Sequence, residues 1–377
     1  MNYKKYFLPI LVLISIILMA WVSPKYSKGL KGGQVFNQQF VDGKVLEVVK
    51  EDLMYDPVME GKFRGSQTLK VELLEGEKKG EVVTVYNSLN SLHNTYAKPG
   101  LKAIFTVRET PKGESVWMYN LKREWGIYLL ISIFVGAVVL LGGKKGLNSL
   151  IALAFTGAVV VYVLLPLLFM GLSPVPISVG LSSIIIVVSF LLIGNFDRKT
   201  YSAILGTISG VTIAGVITYI FGYILDLTGL NLSEGEQLLY IAKDYSLKVD
   251  GLLFVSILIA SLGAVMDVAM SMASCVNELY ILKPDICFKE LFRSAMAIGK
   301  DIVGTMINTL ILAFAGGSLP LMMMIWGYGM VYKQFINIPT IAIEVVNALA
   351  GSLGIIATVP ITTVVSILLI KKEREEK

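Results

Sequence analysis

The sequence predicts an all-α polytopic membrane bundle of about eight transmembrane helices, counting an N-terminal anchor, with a small extracytoplasmic β-barrel-like, OB-like domain. Three observations predict it. The chain of 377 residues is 55% hydrophobic and only 16% charged, with a mean hydropathy of +0.70, whereas soluble domains average about 25% charged. From Trp125 onward, apolar stretches recur that are long enough to span about 30 Å of hydrocarbon, which takes about 20 helical residues. Between the N-terminal apolar run and that region, residues 34–120 change to strand-like alternation.

Residues 1–24 read as the anchor. Met1 to Lys5 form a charged start and Tyr6 to Val22 an apolar core, the layout of a secretory signal. Small residues are not paired at the spacing of a cleavage site, since Leu18 stands two before Ala20 and Trp21 two before Ser23. An uncleaved anchor is therefore predicted, with the N-terminus inside and the next segment outside.

In the β-domain, residues 34–120, Leu69 to Leu73 and Ala103 to Arg108 alternate as strands with one buried face. Gly43 to Val49, Glu81 to Tyr86 and Val116 to Asn120 are further strands. Turns fall at Gly76, Gly80, Pro99-Gly100 and Pro111-Lys112-Gly113. A sheet this short hides its edges best by closing into a barrel. Such a barrel binds oligomers only if it exposes an aromatic, basic face; otherwise it is a spacer or lid.

The helical membrane domain, residues 125–370, divides into spans near 125–142, 147–171, 175–194, 201–225, 251–275, 303–330 and 339–370, followed by the charged tail 371–377. Short cytoplasmic loops should carry the Lys and Arg excess. Lys144-Lys145, Arg198-Lys199, the segment with Lys283, Lys289, Arg293 and Lys300, and Lys371-Lys372 fall on one side. Gly171 to Pro176, the acidic stretch with Asp226, Glu234, Glu236, Asp244 and Asp250, and a turn with Lys333 fall on the other. Both termini are thus expected in the cytoplasm of a bacterial-type cell membrane. Within the acidic stretch, Glu236 to Ala242 reads as a short surface helix.

Several chemistries are disfavoured. Cys275, Cys287 and His93 are the only Cys and His, too few for a Cys/His metal cage or a disulfide framework. The net charge of +5 sits in short clusters beside apolar runs, so nucleic acid is not an expected partner. There is no His-Glu-x-x-His, no Walker-type loop and no histidine base in the bundle, so no enzyme and no cofactor are predicted. Methionines crowd Met266 to Met324, but without companion Cys or His they read as packing rather than soft-metal ligands.

Polar groups at bilayer depth cost about 2.5–3.5 kcal/mol each and persist where they pair or line a hydrated path. Asp267, Ser271, Ser274 and Glu278 are spaced four, three and four apart, on one helical face that Gly263 and Ala260 continue. Asp301, Thr305 and Asn308 repeat the pattern, as do Glu344, Asn347, Gly351, Gly354 and Thr358. The candidate polar site is Asp267, Ser271, Ser274, Asn308, Glu344 and Asn347. Packing explains Ser, Thr and Gly in such stripes; for Asp267, packing and function are both open. Helix breaks, as at the midplane sites of transporters, are expected at Gly316, Gly317 and Pro320 and at Gly351 and Gly354, with Pro360 beyond. Gly206 to Gly210 reads as a small-xxx-small packing contact. Pro284 to Lys300 reads as an amphipathic cytoplasmic elbow with Ile286, Leu291, Phe292 and Met296 against the membrane.

Gly263-Ala264-Val265-Met266-Asp267-Val268-Ala269-Met270-Ser271, Asn277-Glu278-Leu279, Phe292-Arg293-Ser294, Gly299-Lys300-Asp301, Gly304 to Leu310 and Gly316 to Pro320 together resemble the YibE/F family of multispanning bacterial membrane proteins. The resemblance implies a helical membrane protein with an N-terminal extracytoplasmic portion; it supplies no activity from which catalytic roles could be carried over. The expected function is permease-like, with Asp267, Ser271, Asn308 and Asn347 contacting a solute or coupling cation. The competing expectation is a membrane scaffold or regulator that binds a partner through the β-domain or the elbow. The lipid bilayer is the first expected partner, and a related chain in a homo- or hetero-oligomer the second.

Overall fold

The computed structural model describes residues 4–27, 38–91, 93–110, 113–194, 196–232 and 234–376. Residues 1–3 of the anchor, 34–37 of the expected β-domain, Pro111-Lys112 of an expected turn and Lys377 of the tail lie outside the described residues. The chain forms two compact units, one of Met1–Gly32 with Val138–Lys377, the other Gly33–Ala137.

In the second unit, β1 (Gln38–Tyr55), β2 (Phe63–Leu73), β3 (Val82–Leu89), β4 (Lys102–Thr110) and β5 (Gly113–Leu121) close in the order β1-β2-β3-β5-β4. Every pairing is antiparallel except β3 with β5, which meet in parallel at Tyr86 and Trp117. Paired residues traced from Lys50 through Thr68, Tyr86, Trp117 and Thr106 return to β1 at Phe40, a shear of ten residues. A five-stranded closure of this kind is the OB-like barrel that the alternation predicted. Val45, Leu69, Val71, Val85 and Phe105 fill its interior. Gly43 lets β1 cross that core, because a Cβ there would stand 2.6 Å from the Phe105 ring.

The barrel holds its long β3–β4 connection with side-chain amides. Buried Gln67 accepts from Asn87 Nδ2 (3.0 Å) and the Ala97 N–H (2.9 Å), and donates to Glu51 Oε1 (2.7 Å). Such a network satisfies every buried polar atom it brings in. His93 lies exposed in the same connection, its N–H bonded to Asn90 Oδ1.

The helices are α1 (Lys4–Ser27), α2 (Glu124–Val159), a π-helical turn at Val160–Leu164, α3 (Leu165–Phe169), α4 (Pro174–Ile193), α5 (Arg198–Ile224), a 3-10 turn at Gly229–Asn231, α6 (Gly235–Asp244), α7 (Leu252–Leu282), α8 (Phe288–Gly317), α9 (Leu319–Gly327), α10 (Tyr332–Phe335) and α11 (Pro339–Glu376). Seven helical stretches among the described residues are long and apolar enough to cross a membrane. The longest, Glu124–Phe169, has 46 residues and as one straight rod would extend about 69 Å. It is not straight. Gly143 adopts φ 52°, ψ −129°, a region open only to glycine. A Cβ on Gly146 would overlap the Val138 carbonyl oxygen, although eight residues of helix would separate the two by about 12 Å. The chain therefore doubles back where the expected spans 125–142 and 147–171 part.

At the centre of the bundle α5, α7 and α11 pack against one another. Gly206 and Gly210 of α5 admit the hydroxyls of Thr362 and Thr358 of α11, while Gly354 of α11 faces Ala214 of α5. The small-xxx-small pair thus packs within the chain.

Two expectations are corrected. α11 runs unbroken through Gly351, Gly354 and Pro360; its glycines serve close contact rather than interruption, Gly351 meeting Leu310 of α8 and Ser261 of α7. The elbow Pro284 to Lys300 is no separate surface helix either. From Phe288 it is the first part of α8, with Ile286 and Leu291 buried and Phe292 and Met296 packed on the bundle core. Gly299 makes this possible, because Met272 and Val359 fill the space a side chain would take. The break expected at Gly316 to Pro320 is present, since α8 stops at Gly317 and α9 starts at Leu319.

Candidate functional site

α7 has two opposed faces. Its buried face is apolar, with Leu258, Leu262, Val265, Val268, Met272 and Val276 in the core. Its uncovered face carries Ser256, Ala260, Gly263, Asp267, Ser271 and Glu278, with Ser274 half-buried beside them. A helix bordered by lipid would turn its apolar side outward. Asp267 has no hydrogen-bond or ion-pair partner among the described residues.

α8 repeats the arrangement. Ile302, Val303, Met306, Ile307 and Leu310 pack inward, while Asp301, Gly304, Thr305, Asn308 and Thr309 are exposed. Thr305 satisfies itself on the Asp301 and Ile302 carbonyls, at 3.2 and 3.0 Å.

Contacts between the helices set the relative height of these groups. Met272 Sδ lies 3.2 Å from where a Gly299 Cβ would be, and Gly351 touches both Leu310 and Ser261. With α7 and α8 antiparallel and a rise of 1.5 Å per residue, Asp267 stands level with Gly304; Asn308 is about 6 Å further along the axis, Asn347 about 15 Å and Glu344 about 20 Å. The six predicted residues are therefore strung along the bundle rather than gathered in one pocket. Asp267, Ser271 and Asn308 share the uncovered side, and Asn347 and Glu344 belong to the other end.

At that end the α8–α9 break borders a cavity of about 270 Å³, lined by Phe314, Ser318, Met322, Phe335, Glu344 and Ala348. Ser318 Oγ and Asn347 Oδ1 are buried with no hydrogen-bond partner among the described residues. A carboxylate and a free hydroxyl beside an apolar cavity can hold a proton or a small cation. No three of His, Cys, Asp and Glu gather as metal ligands among the described residues. Met272 lies in the core with Met266, Met270, Met296 and Met306 packed against it, whereas Met322 to Met324 are exposed.

Sequence reasoning missed Ser256, which lies two turns from Gly263 on the same face, and Ser318, which was read only as part of a breaking motif. It also missed the hydroxyls of Thr207, Thr362 and Ser366, buried without a hydrogen-bond partner. Extending the three-and-four spacing would have found Ser256; the others depend on which helices meet.

A family model described as YibE/F-like protein matches residues 130–372. No curated protein and no solved structure matches the chain.

Proposed function

The chain belongs to the YibE/F-like family, and on that premise we propose that this membrane protein is a permease-type subunit whose polar path follows the uncovered face of α7. The proposed topology has eight crossings, with the Glu124–Phe169 stretch doubled at Gly143, both termini in the cytoplasm and the barrel outside. The clustering of Lys and Arg in alternate loops supports it.

One observation carries the reading: from Ser256 to Glu278, the side of α7 that no other helix covers holds only small and polar residues. Depth adds to it. α7 has 31 residues, or about 46 Å, and Asp267 is about 22 Å from either end. Wherever about 30 Å of hydrocarbon falls along that length, Asp267 lies inside it. A carboxylate there needs water or a partner, and the spread of Asn308, Asn347 and Glu344 along the axis suits passage better than a closed binding pocket.

The test is reconstitution in liposomes with trapped pyranine, under an imposed pH or sodium gradient. The reading expects the protein to dissipate one of them and Asp267→Asn to slow that at least tenfold at unchanged yield and melting temperature. Equal rates would remove Asp267 from the path, and no dissipation under either gradient would favour a scaffold. The scaffold reading has one observation of its own, the exposed aromatics Phe40, Tyr86, Trp117 and Tyr119 on the barrel. Copurification of one stoichiometric partner, lost on Trp117→Ala, would support it. No enzymatic step is proposed.

A further inference from the structure

We infer that a second copy of this chain closes the uncovered face of α7 and α8, with α7 of each copy against α8 of the other, so that the surroundings of Asp267 are built from both. The inference rests on the permease reading only in taking this face to lie at membrane depth.

The first ground is that α8 does not suit lipid. Of the seven apolar stretches it has the lowest mean hydropathy, 1.4, yet only 6% of its most apolar part is buried, against 50% for α7 and α11. A helix left open to hydrocarbon should be the most apolar one. The N-terminal stretch, equally uncovered, obeys this with a hydropathy of 2.4. α8 breaks the rule: beside Ile298, Ile311 and Leu312, its exposed residues include Asp301, Gly304, Thr305, Asn308 and Thr309.

The second ground is space. Gly210, Gly299 and Gly354 are each filled by a neighbour from within the chain, whereas among the described residues no neighbouring atom lies within 4 Å of where a Cβ on Gly263 or Gly304 would stand. Glycine weakens a helix and is kept in membrane helices where backbones approach closely. Among the described residues these two have no close neighbour from another helix to approach.

Charge selects a second copy as the occupant. Copies related by an axis along the membrane normal keep each residue at its own depth. The contact of Met272 with Gly299 puts Glu278 level with Arg293, Ser271 with Lys300, and Asp267 with Gly304, between Lys300 and Asn308. Among the described residues Glu278, Asp267, Arg293 and Lys300 form no ion pair. Across the axis the acidic edge of α7 meets the basic edge of α8 twice over: Glu278 faces Arg293, and Asp267 faces Lys300 and Asn308. A surface complementary to itself is what an isologous interface requires.

The experiment uses differently tagged full-length copies lacking Cys275 and Cys287, oxidised in native membranes. Copies with Ser271→Cys and copies with Lys300→Cys, which stand level in that register, should form a mixed-tag dimer at least tenfold above an Ile184→Cys control on α4. Glu278→Arg or Arg293→Glu carried by both copies should reduce it at least tenfold. Glu278→Arg in one copy and Arg293→Glu in the other should restore it, because each altered residue then meets its complement across the axis. Monomer alone, a product with a chain of another size, or failure of the mixed charge pair to restore the dimer would each overturn the inference. If cysteines along α7 still react with water-borne reagents while only monomer is found, the permease reading stands without the second copy; if neither result appears, both fall.

Discussion

Asp56 is the barrel's most constrained carboxylate. Its side chain is fully buried, Arg64 Nε donates to Oδ2 at 2.6 Å, and the Val58 and Met59 N–H groups donate to Oδ1 at 2.8 and 3.1 Å. The guanidinium foremost, then the Val58 N–H, holds its pKa below the ordinary 3.8. A carboxylate lowered on folding contributes stability that is complete above its unfolded pKa and is lost as pH falls through the folded one. The barrel's melting temperature, followed by Trp117 fluorescence with the other tryptophans replaced by Phe, should therefore drop below about pH 4. The drop should be shallower in Asp56→Asn; identical profiles would refute the assignment. None of this was legible in the sequence, because Asp56 just after β1 and Arg64 in β2 meet only once the two strands pair. Asp267 was legible, since a lone acid in a long apolar run needs no fold to be noticed. Its lack of a partner among the described residues was not.

Glycines in α5 and α11 show what a helix-scale reading can and cannot resolve. Gly351 and Gly354 signal a break and a close contact equally well in one dimension, and only the position of α5 and α8 decides for contact. Gly316 to Pro320 was read correctly as a break because Pro320 removes a backbone donor within a turn of two glycines. The amphipathic pattern of 284–300 was read correctly as a helix but assigned to the wrong environment, since packing on protein and packing on lipid demand the same apolar face. Gly210→Leu should cost about 1–3 kcal/mol or more, because its Cβ would overlap the Thr358 hydroxyl and stand 3.1 Å from the Gly354 carbonyl oxygen. Gly180→Ala on α4, where nothing lies within 4 Å, should be neutral or stabilise by up to about 1 kcal/mol. Thermal denaturation in detergent checks both, and equal melting temperatures would contradict the account of the α5–α11 contact.

For the whole molecule, the strand alternation and the apolar runs made both units legible, and Lys144-Lys145 between two apolar stretches marked the reversal at Gly143. The closure order of the barrel and the choice of α5, α7 and α11 as the centre were not legible, since both depend on contacts between distant segments. The proposed topology puts the α7–α8 connection in the cytoplasm. Exposed Cys287 should then react with an impermeant maleimide in inverted vesicles but not in intact cells, and the opposite result would reverse the topology. The central claim is that the open side of α7 is not a lipid surface. Single cysteines placed at every position from Ser256 to Ser271 in a chain lacking Cys275 and Cys287 test it most directly, with a charged thiosulfonate in native membranes. The account predicts reaction at positions 256, 260, 263, 267 and 271, in helical phase with the exposed residues, and protection between them. Uniform protection, or a reactive phase centred on Val265 and Val268, would contradict it.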